Sequence, residues 1–267
     1  MSLDNHFPPA PIPEAPEGHG LLSDKIVLIT AAAGTGIGMA TAQRCLEEGA
    51  HVVISDAHER RLGETRETLS ALGLGEVLGV PCDVTNEDAV QHLYSETLTH
   101  FGRLDVAVHN AGLGGTALLT EMKDEEWHKV IDVTLTGSFR CTRAALKLMQ
   151  AQGSGVIVNN SSVLGWRAQP GQAHYAAAKA GVMALTRSAA AEGAPFGIRV
   201  NAIAPSLAEH PFLNKAISDD DIAILRNREL FHRGAEVWEV ANVVIFLASG
   251  YSSYLSGEVI SVSSQHP

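Results

Sequence analysis

Lys25–Gly38 reads KIVLITAAAGTGIG, and the fold class follows from it. Lys25–Thr30 is an almost unbroken, β-branched apolar run, the pattern of a strand buried on both faces. Behind it come Ala31, Ala32, Ala33, Gly34, Thr35, Gly36, Ile37 and Gly38, a glycine-rich turn running straight into a helical segment, Ile37–Glu48. Glycines allow a tight turn and a close backbone approach, and the N–H groups of a helix start attract a pyrophosphate. Such a turn also occurs for purely structural reasons; its place between a first strand and a first helix favours nucleotide binding.

The same alternation continues outward. Apolar runs recur at Ala50–Ser55, Glu76–Val80, Leu104–His109, Gly155–Asn159, Gly197–Ala202 and Glu258–Val262. Helical patterns lie between them near Glu59–Leu72, Glu87–Phe101, Glu125–Gln150, Gln172–Ala194 and Ala235–Ala248. This predicts an α/β chain: a single-domain Rossmann-type, doubly wound parallel sheet of about seven strands, with right-handed crossovers and helices on both faces. The domain is expected to span 21–267. Residues 1–20, with prolines at 8, 9, 11, 13 and 16, read as an extended arm, ordered only if it packs on a neighbour and otherwise a loose tail. Residues 206–233 break the rhythm and read as a substrate loop.

Composition narrows the function. Nineteen Lys and Arg against 30 Asp and Glu give a net charge of -11, which disfavours nucleic acid or an anionic membrane as partner. No apolar run approaches the roughly 18 residues of a membrane helix, and the polar, Pro-rich start does not resemble a signal peptide. Cys45, Cys82 and Cys141 form no CxxC pair, so neither a disulfide framework nor a metal site is expected, and a reducing cytoplasm fits. The second strand ends at Asp56, where an acid accepts hydrogen bonds from the adenosine ribose hydroxyls and repels a 2′-phosphate. NAD is therefore expected over NADP. His58, Arg60 and Arg61 follow closely, as a solvated helix face or as partners of that phosphate.

Further segments carry a family likeness: His109-Asn110-Ala111-Gly112 after the fourth strand, Ser161-Ser162 after the fifth, Tyr175-Ala176-Ala177-Ala178-Lys179 opening the next helix, and Asn201-Ala202-Ile203-Ala204-Pro205 on the sixth. With the glycine-rich turn and Asp83-Val84, these resemble the short-chain dehydrogenase/reductase family over about Leu21–Val262. The chemistry has its own logic: Tyr175 and Lys179, four apart, share a helix face. A free phenol titrates near 10, and the Lys179 ammonium together with a positive nicotinamide would favour phenolate. Ser162 can hold the substrate oxygen near Tyr175 while hydride passes between carbon and nicotinamide. The resemblance further implies that Lys179 holds the nicotinamide ribose, that Asp83 and Val84 border the adenine, that Gly34, Gly36, Ile37, Gly38, Asn110, Gly112 and Pro205 line the cofactor, and that the chain forms a homotetramer through its two long helices.

Four departures from the family pattern stand out. The glycine turn is one residue longer than TGxxxGIG, with alanine where the first Gly belongs. Thr134 replaces an Asn that bends the helix and anchors a relay water, so a modified proton relay through Thr134 is expected. Pro205-Ser206 replaces Pro-Gly, with His210 where a Thr often meets the carboxamide, His210 being a plain loop residue or a substrate contact. The end reads Ser261-Val262-Ser263-Ser264-Gln265 instead of VDGG.

Leu113, Leu164, Trp166, Phe212, Leu213 and Phe231 suggest a bulky apolar substrate. Arg226, Arg228 and Arg233 form either a solvated face or a site for an anionic handle such as coenzyme A. The turn and serine-rich end resemble a bacterial branch linked to steroid-ring catabolism, part of it acting on coenzyme A thioesters. The expected activity is NAD-dependent interconversion of a secondary alcohol and a ketone on a small-molecule substrate. The alternatives are an NADPH-dependent 3-oxoacyl-carrier-protein reductase and a non-catalytic dinucleotide-binding regulator.

Overall fold

The computed structural model describes residues 8–211 and 219–264. All seven apolar runs become strands of one parallel sheet: β1 (Ile26–Thr30), β2 (His51–Asp56), β3 (Val77–Pro81), β4 (Val106–His109), β5 (Gly155–Asn160), β6 (Ile198–Pro205) and β9 (Val259–Val262), in the order β3-β2-β1-β4-β5-β6-β9. β1 is buried throughout, and its alternate residues feed two separate cores. Val27 and Ile29 pack with Ala42, Leu46, Leu62, Val240 and Val244 on one side. Ile26 and Leu28 pack with Leu93, Ala145, Met149 and Ile198 on the other. The helices α1 (Ile37–Glu47), α2 (Glu59–Ser70) and α8 (Val237–Ala248) thus cover one face, and α3 (Glu87–Phe101), α5 (Gly137–Gln152) and α6 (Ala173–Gly193) cover the other. The chain runs outward from β1 through β2 to β3, then returns to β4 on the opposite side of β1. At that reversal the carboxyl ends of β1 and β4 open a crevice.

Two helical stretches differ from their sequence reading. Glu125–Gln150 is not one regular helix: α4 (Asp124–Ile131) passes into a π-helical stretch, Asp132–Thr136, before α5. The inserted π geometry marks a place where side-chain contacts override the 3.6 period. The segment read as starting at Ala235 starts at Val237, because a capping box between Glu236 and Glu239 fixes the helix start. Ala235–Glu236 instead forms β8, a short parallel pair with β7 (Ala208–Glu209). A further helix, α7 (Asp219–Arg228), lies between them.

Residues 8–20 carry no helix or strand and are exposed apart from half-buried Ala10, but they are tied to the body at several points. Buried Arg44 donates to the Pro16 carbonyl (2.9 Å), to Asn242 (3.0 Å) and to Glu48 (3.1 Å), while the second oxygen of Glu48 accepts the His19 and Leu21 N–H groups. A Cβ on Gly18 would lie 1.9 Å from the Glu47 carbonyl oxygen, so the arm approaches α1 as only glycine permits. Nearer its start, the Ala10 N–H donates to the Phe231 carbonyl at 2.9 Å. The other end of the chain meets the same segment: the Leu230 N–H donates to the Ser264 carbonyl (2.8 Å), and buried Glu229 accepts from the Ser264 N–H and hydroxyl. No helix among the described residues is long and apolar enough to cross a membrane.

Candidate active site

The crevice begins at the glycine-rich turn. Gly34 has φ +100°, a left-handed conformation natural to glycine, and its N–H donates to Thr65. Gly36 is the N-cap of α1 with no side chain capping it, and a Cβ there would meet nothing. The helix start is therefore open on the side where an anion would sit. Gly38 is the opposite case: a Cβ would lie 2.4 Å from the Ala31 carbonyl oxygen and 2.6 Å from the Asn110 amide nitrogen. Ala31, standing where the family has glycine, keeps a left-handed φ of +50°. Thr30 Oγ1 accepts the Asn110 and Ala111 N–H groups (3.0 and 3.2 Å), and Asn110 Nδ2 donates to the Ala31 carbonyl (3.0 Å).

Beside the turn lies a cavity of about 480 Å³ lined by Ala31, Asp56, Asp83, Val84, Thr85, Gly112 and Lys129, among others. Asp56 accepts the His58 N–H with one oxygen. Arg61 stands 3.6 Å from that same oxygen, while Arg60 is turned to Glu64; neither arginine lines the cavity. Asp83 accepts from the Thr85 N–H and hydroxyl, and Val84 is packed so tightly against Gly137 that a Cβ there would come within 2.7 Å. The glycine cradle, the uncapped helix start and a carboxylate in the cavity wall fit a dinucleotide.

At the other end, Ser162, Tyr175 and Lys179 converge. Ser162, extended at the end of β5, accepts the Leu164 N–H at 3.2 Å and donates to the Pro205 carbonyl at 3.5 Å. The Ser162 hydroxyl beside Tyr175 pulls its phenol down, but burial is the larger effect and holds it above its ordinary value. Lys179 Nζ lies 5.5 Å from the centre of the Tyr175 ring and donates to the Asn160 carbonyl at 2.6 Å. Buried Lys179 is pushed down to about 7 by desolvation, so near neutrality its ammonium is only partly present. Gly112 covers the lysine: a Cβ there would lie 3.3 Å from Nζ.

Thr134 sits inside the π stretch, fully buried. Its hydroxyl accepts from the Leu113 N–H (2.9 Å) and donates to the Leu113 carbonyl (3.1 Å). These two bonds fix the loop after β4 to the π stretch. His210 is half-buried, with Nδ1 unpartnered and the ring held below its ordinary value by desolvation. Trp166 and Phe231 are exposed; Phe212 and Leu213 lie outside the described residues. Arg226 pairs with Glu209, and Arg233 with Glu239, so these two do not stand open for an anionic handle; Arg228 is exposed.

Sequence reasoning passed over two features. Asn160 links Lys179 to the cofactor turn, its Nδ2 donating to Asn110 Oδ1 at 2.8 Å. Below it a buried chain runs from Tyr94 to His109 (2.8 Å), on to Asn159 (2.8 Å) and to Thr186 (3.0 Å), with His109 driven down to about 4 by burial and hence neutral. The signal was the Asn159-Asn160 doublet: two amides on opposite faces of a strand end serve two different networks.

Comparison with known proteins agrees with this geometry. A family model described as enoyl-(acyl carrier protein) reductase matches residues 31–264. A Mycobacterium tuberculosis protein, (5R,7aS)-5-hydroxy-7a-methyl-1-oxo-2,3,5,6,7,7a-hexahydro-1H-indene-carboxyl-CoA reductase, is 61% identical, covering 96% of this chain and 98% of its own. A 3-oxoacyl-(acyl-carrier-protein) reductase of Thermotoga maritima is 40% identical over 90% of this chain and 97% of its own. The crystal structure of a short chain dehydrogenase from Mycobacterium smegmatis superposes with a TM-score of 0.87 at 57% identity, covering 96% of this chain and 98% of that one. The chain belongs to the short-chain dehydrogenase/reductase family, as an oxidoreductase of the Rossmann fold.

Proposed function

We propose that this chain interconverts a ring-borne secondary alcohol and its ketone with NAD, on a fused-ring substrate carried as a coenzyme A thioester. The observation that carries the chemistry is the meeting of Tyr175 with Ser162 above buried Lys179. Bound NAD(H) supplies the hydride acceptor or donor. Ser162 orients the substrate oxygen. Tyr175, kept neutral by burial, donates its proton to that oxygen in the reductive direction and takes it back in oxidation. Lys179 supports the phenolate when charged. The substrate class is supported by the 61% identical relative. NAD is supported by Asp56 in the cavity wall, with Arg60 and Arg61 outside it.

The second reading, an NADPH-dependent 3-oxoacyl-carrier-protein reductase, is favoured by the 40% identical relative and by Arg61 close to Asp56. The test is NADH or NADPH appearance with a bicyclic hydroxyacyl-CoA and with a linear 3-hydroxyacyl thioester. We expect turnover with NAD+ on the bicyclic substrate, lost by at least about 100-fold in Tyr175→Phe, the low end for removing a general acid–base. Asp56→Ala should narrow the preference for NAD+ over NADP+. Preference of the native chain for NADP+ with the linear substrate would establish the second reading instead.

A further inference from the structure

We infer that Asn160 is a positioning residue for the cofactor turn, its side-chain N–H acting through Asn110 to hold Ala31 in its left-handed conformation. The inference rests on the dinucleotide reading of the crevice.

Ala31 is one of three non-glycine residues at positive φ among those described, a conformation that L side chains keep only where surrounding bonds enforce it. The enforcing bonds both act on the peptide that follows the residue. Its N–H side, Ala32, donates to the Ser55 carbonyl at 3.0 Å. The Ala31 carbonyl itself accepts from Asn110 Nδ2. Asn110 can offer that nitrogen only if its oxygen faces the other way, and there the oxygen receives Asn160 Nδ2 at 2.8 Å. The two amides therefore have one consistent orientation.

In that orientation Asn160 Oδ1 is buried with no hydrogen-bond partner. A buried orphan acceptor is destabilising, and an apolar side chain of the same shape would avoid it. The oxygen thus earns nothing locally, and the amide is useful for its nitrogen. Asn160 lies two residues before Ser162, and its own carbonyl receives Lys179. One residue accordingly ties the turn that would cradle the pyrophosphate to the lysine beneath the catalytic tyrosine, with its side chain serving the first and its backbone the second. Side-chain substitution should separate the two.

The experiment measures NADH affinity by fluorescence titration on the whole chain, with steady-state kinetics beside it. Asn160→Leu, and Asn160→Asp as an isosteric side chain lacking the N–H, should each weaken NADH binding about 5-fold or more. The KM for the cofactor should rise while kcat at saturating cofactor stays within about 2-fold, because the carbonyl that holds Lys179 remains. Adding Ala31→Gly to either variant should restore NADH affinity, since glycine adopts the left-handed conformation without a brace. Unchanged affinity in both Asn160 variants, or failure of Ala31→Gly to restore it, overturns the inference. If neither NADH nor NADPH binds the native chain, the dinucleotide reading itself is what fails. Thermal melts identify an unfolded variant; the other variant then decides.

Discussion

Lys179 sets burial against charge. Its folded pKa of about 7 lies below the ordinary 10.5, with desolvation as the cause. Between those values the unfolded chain binds a proton that the folded one has released, so stability rises with pH across that window; below about 7 both are protonated and the folded state bears the full burial penalty. Lys179→Met removes that penalty. The variant should therefore melt higher than the native chain at pH 6, and its advantage should shrink by pH 9. A shift of roughly 2–4 °C accompanies each kcal/mol in a chain of this size. An advantage independent of pH would contradict the assignment, and turnover should fall in either case. The spacing of Tyr175 and Lys179 was readable from sequence because helix periodicity alone puts them on one face. The task of Thr134 was not: which of several neighbours a buried hydroxyl bonds is decided by the fold around it, here the Leu113 backbone.

Among the elements, the strand–turn–helix unit at Ile26–Glu47 gives the sharpest contrast between glycines. Gly38→Ala pushes a methyl into the Ala31 carbonyl and the Asn110 amide, and should cost about 1–3 kcal/mol of stability by overpacking as well as much of the affinity for NADH. Gly63→Ala on α2 meets nothing within 4 Å and should stabilise by about 0.5–1 kcal/mol. Denaturant melts of both variants check the pair; equal effects would mean that the close approach at Gly38 is unimportant. The central strands were legible because a parallel strand inside the sheet must be apolar on both faces, and β1, β2 and β4 have almost no solvent face to blur the pattern. The π stretch was not legible, since a one-residue insertion within an amphipathic run leaves its composition unchanged. β7 and β8 were invisible for another reason: two-residue strands carry no period, and Ala208–Glu209 pairs with Ala235–Glu236 across 25 intervening positions.

For the whole molecule, the likeness to the family implies a homotetramer, and α5 carries an exposed Phe139 with the Arg143 guanidinium 4.6 Å from its ring centre. Light scattering should give four times the chain mass; a monomer would refute it. Within one chain, Ala10 and Ser264 come from opposite ends of the sequence yet both bond Glu229–Phe231, the segment leading from α7 back to β8. Two anchors on one short segment are energetically coupled: once either is lost, the segment is already loosened and the other has less left to hold. Deleting residues 1–10 and replacing Ser264→Ala should each speed tryptic cleavage at Arg226 or Arg228, but their combined effect should fall short of the product of the two. A rate equal to that product would mean that the arm and the tail act independently, and that the amino-terminal extension can be varied without regard to the serine-rich end.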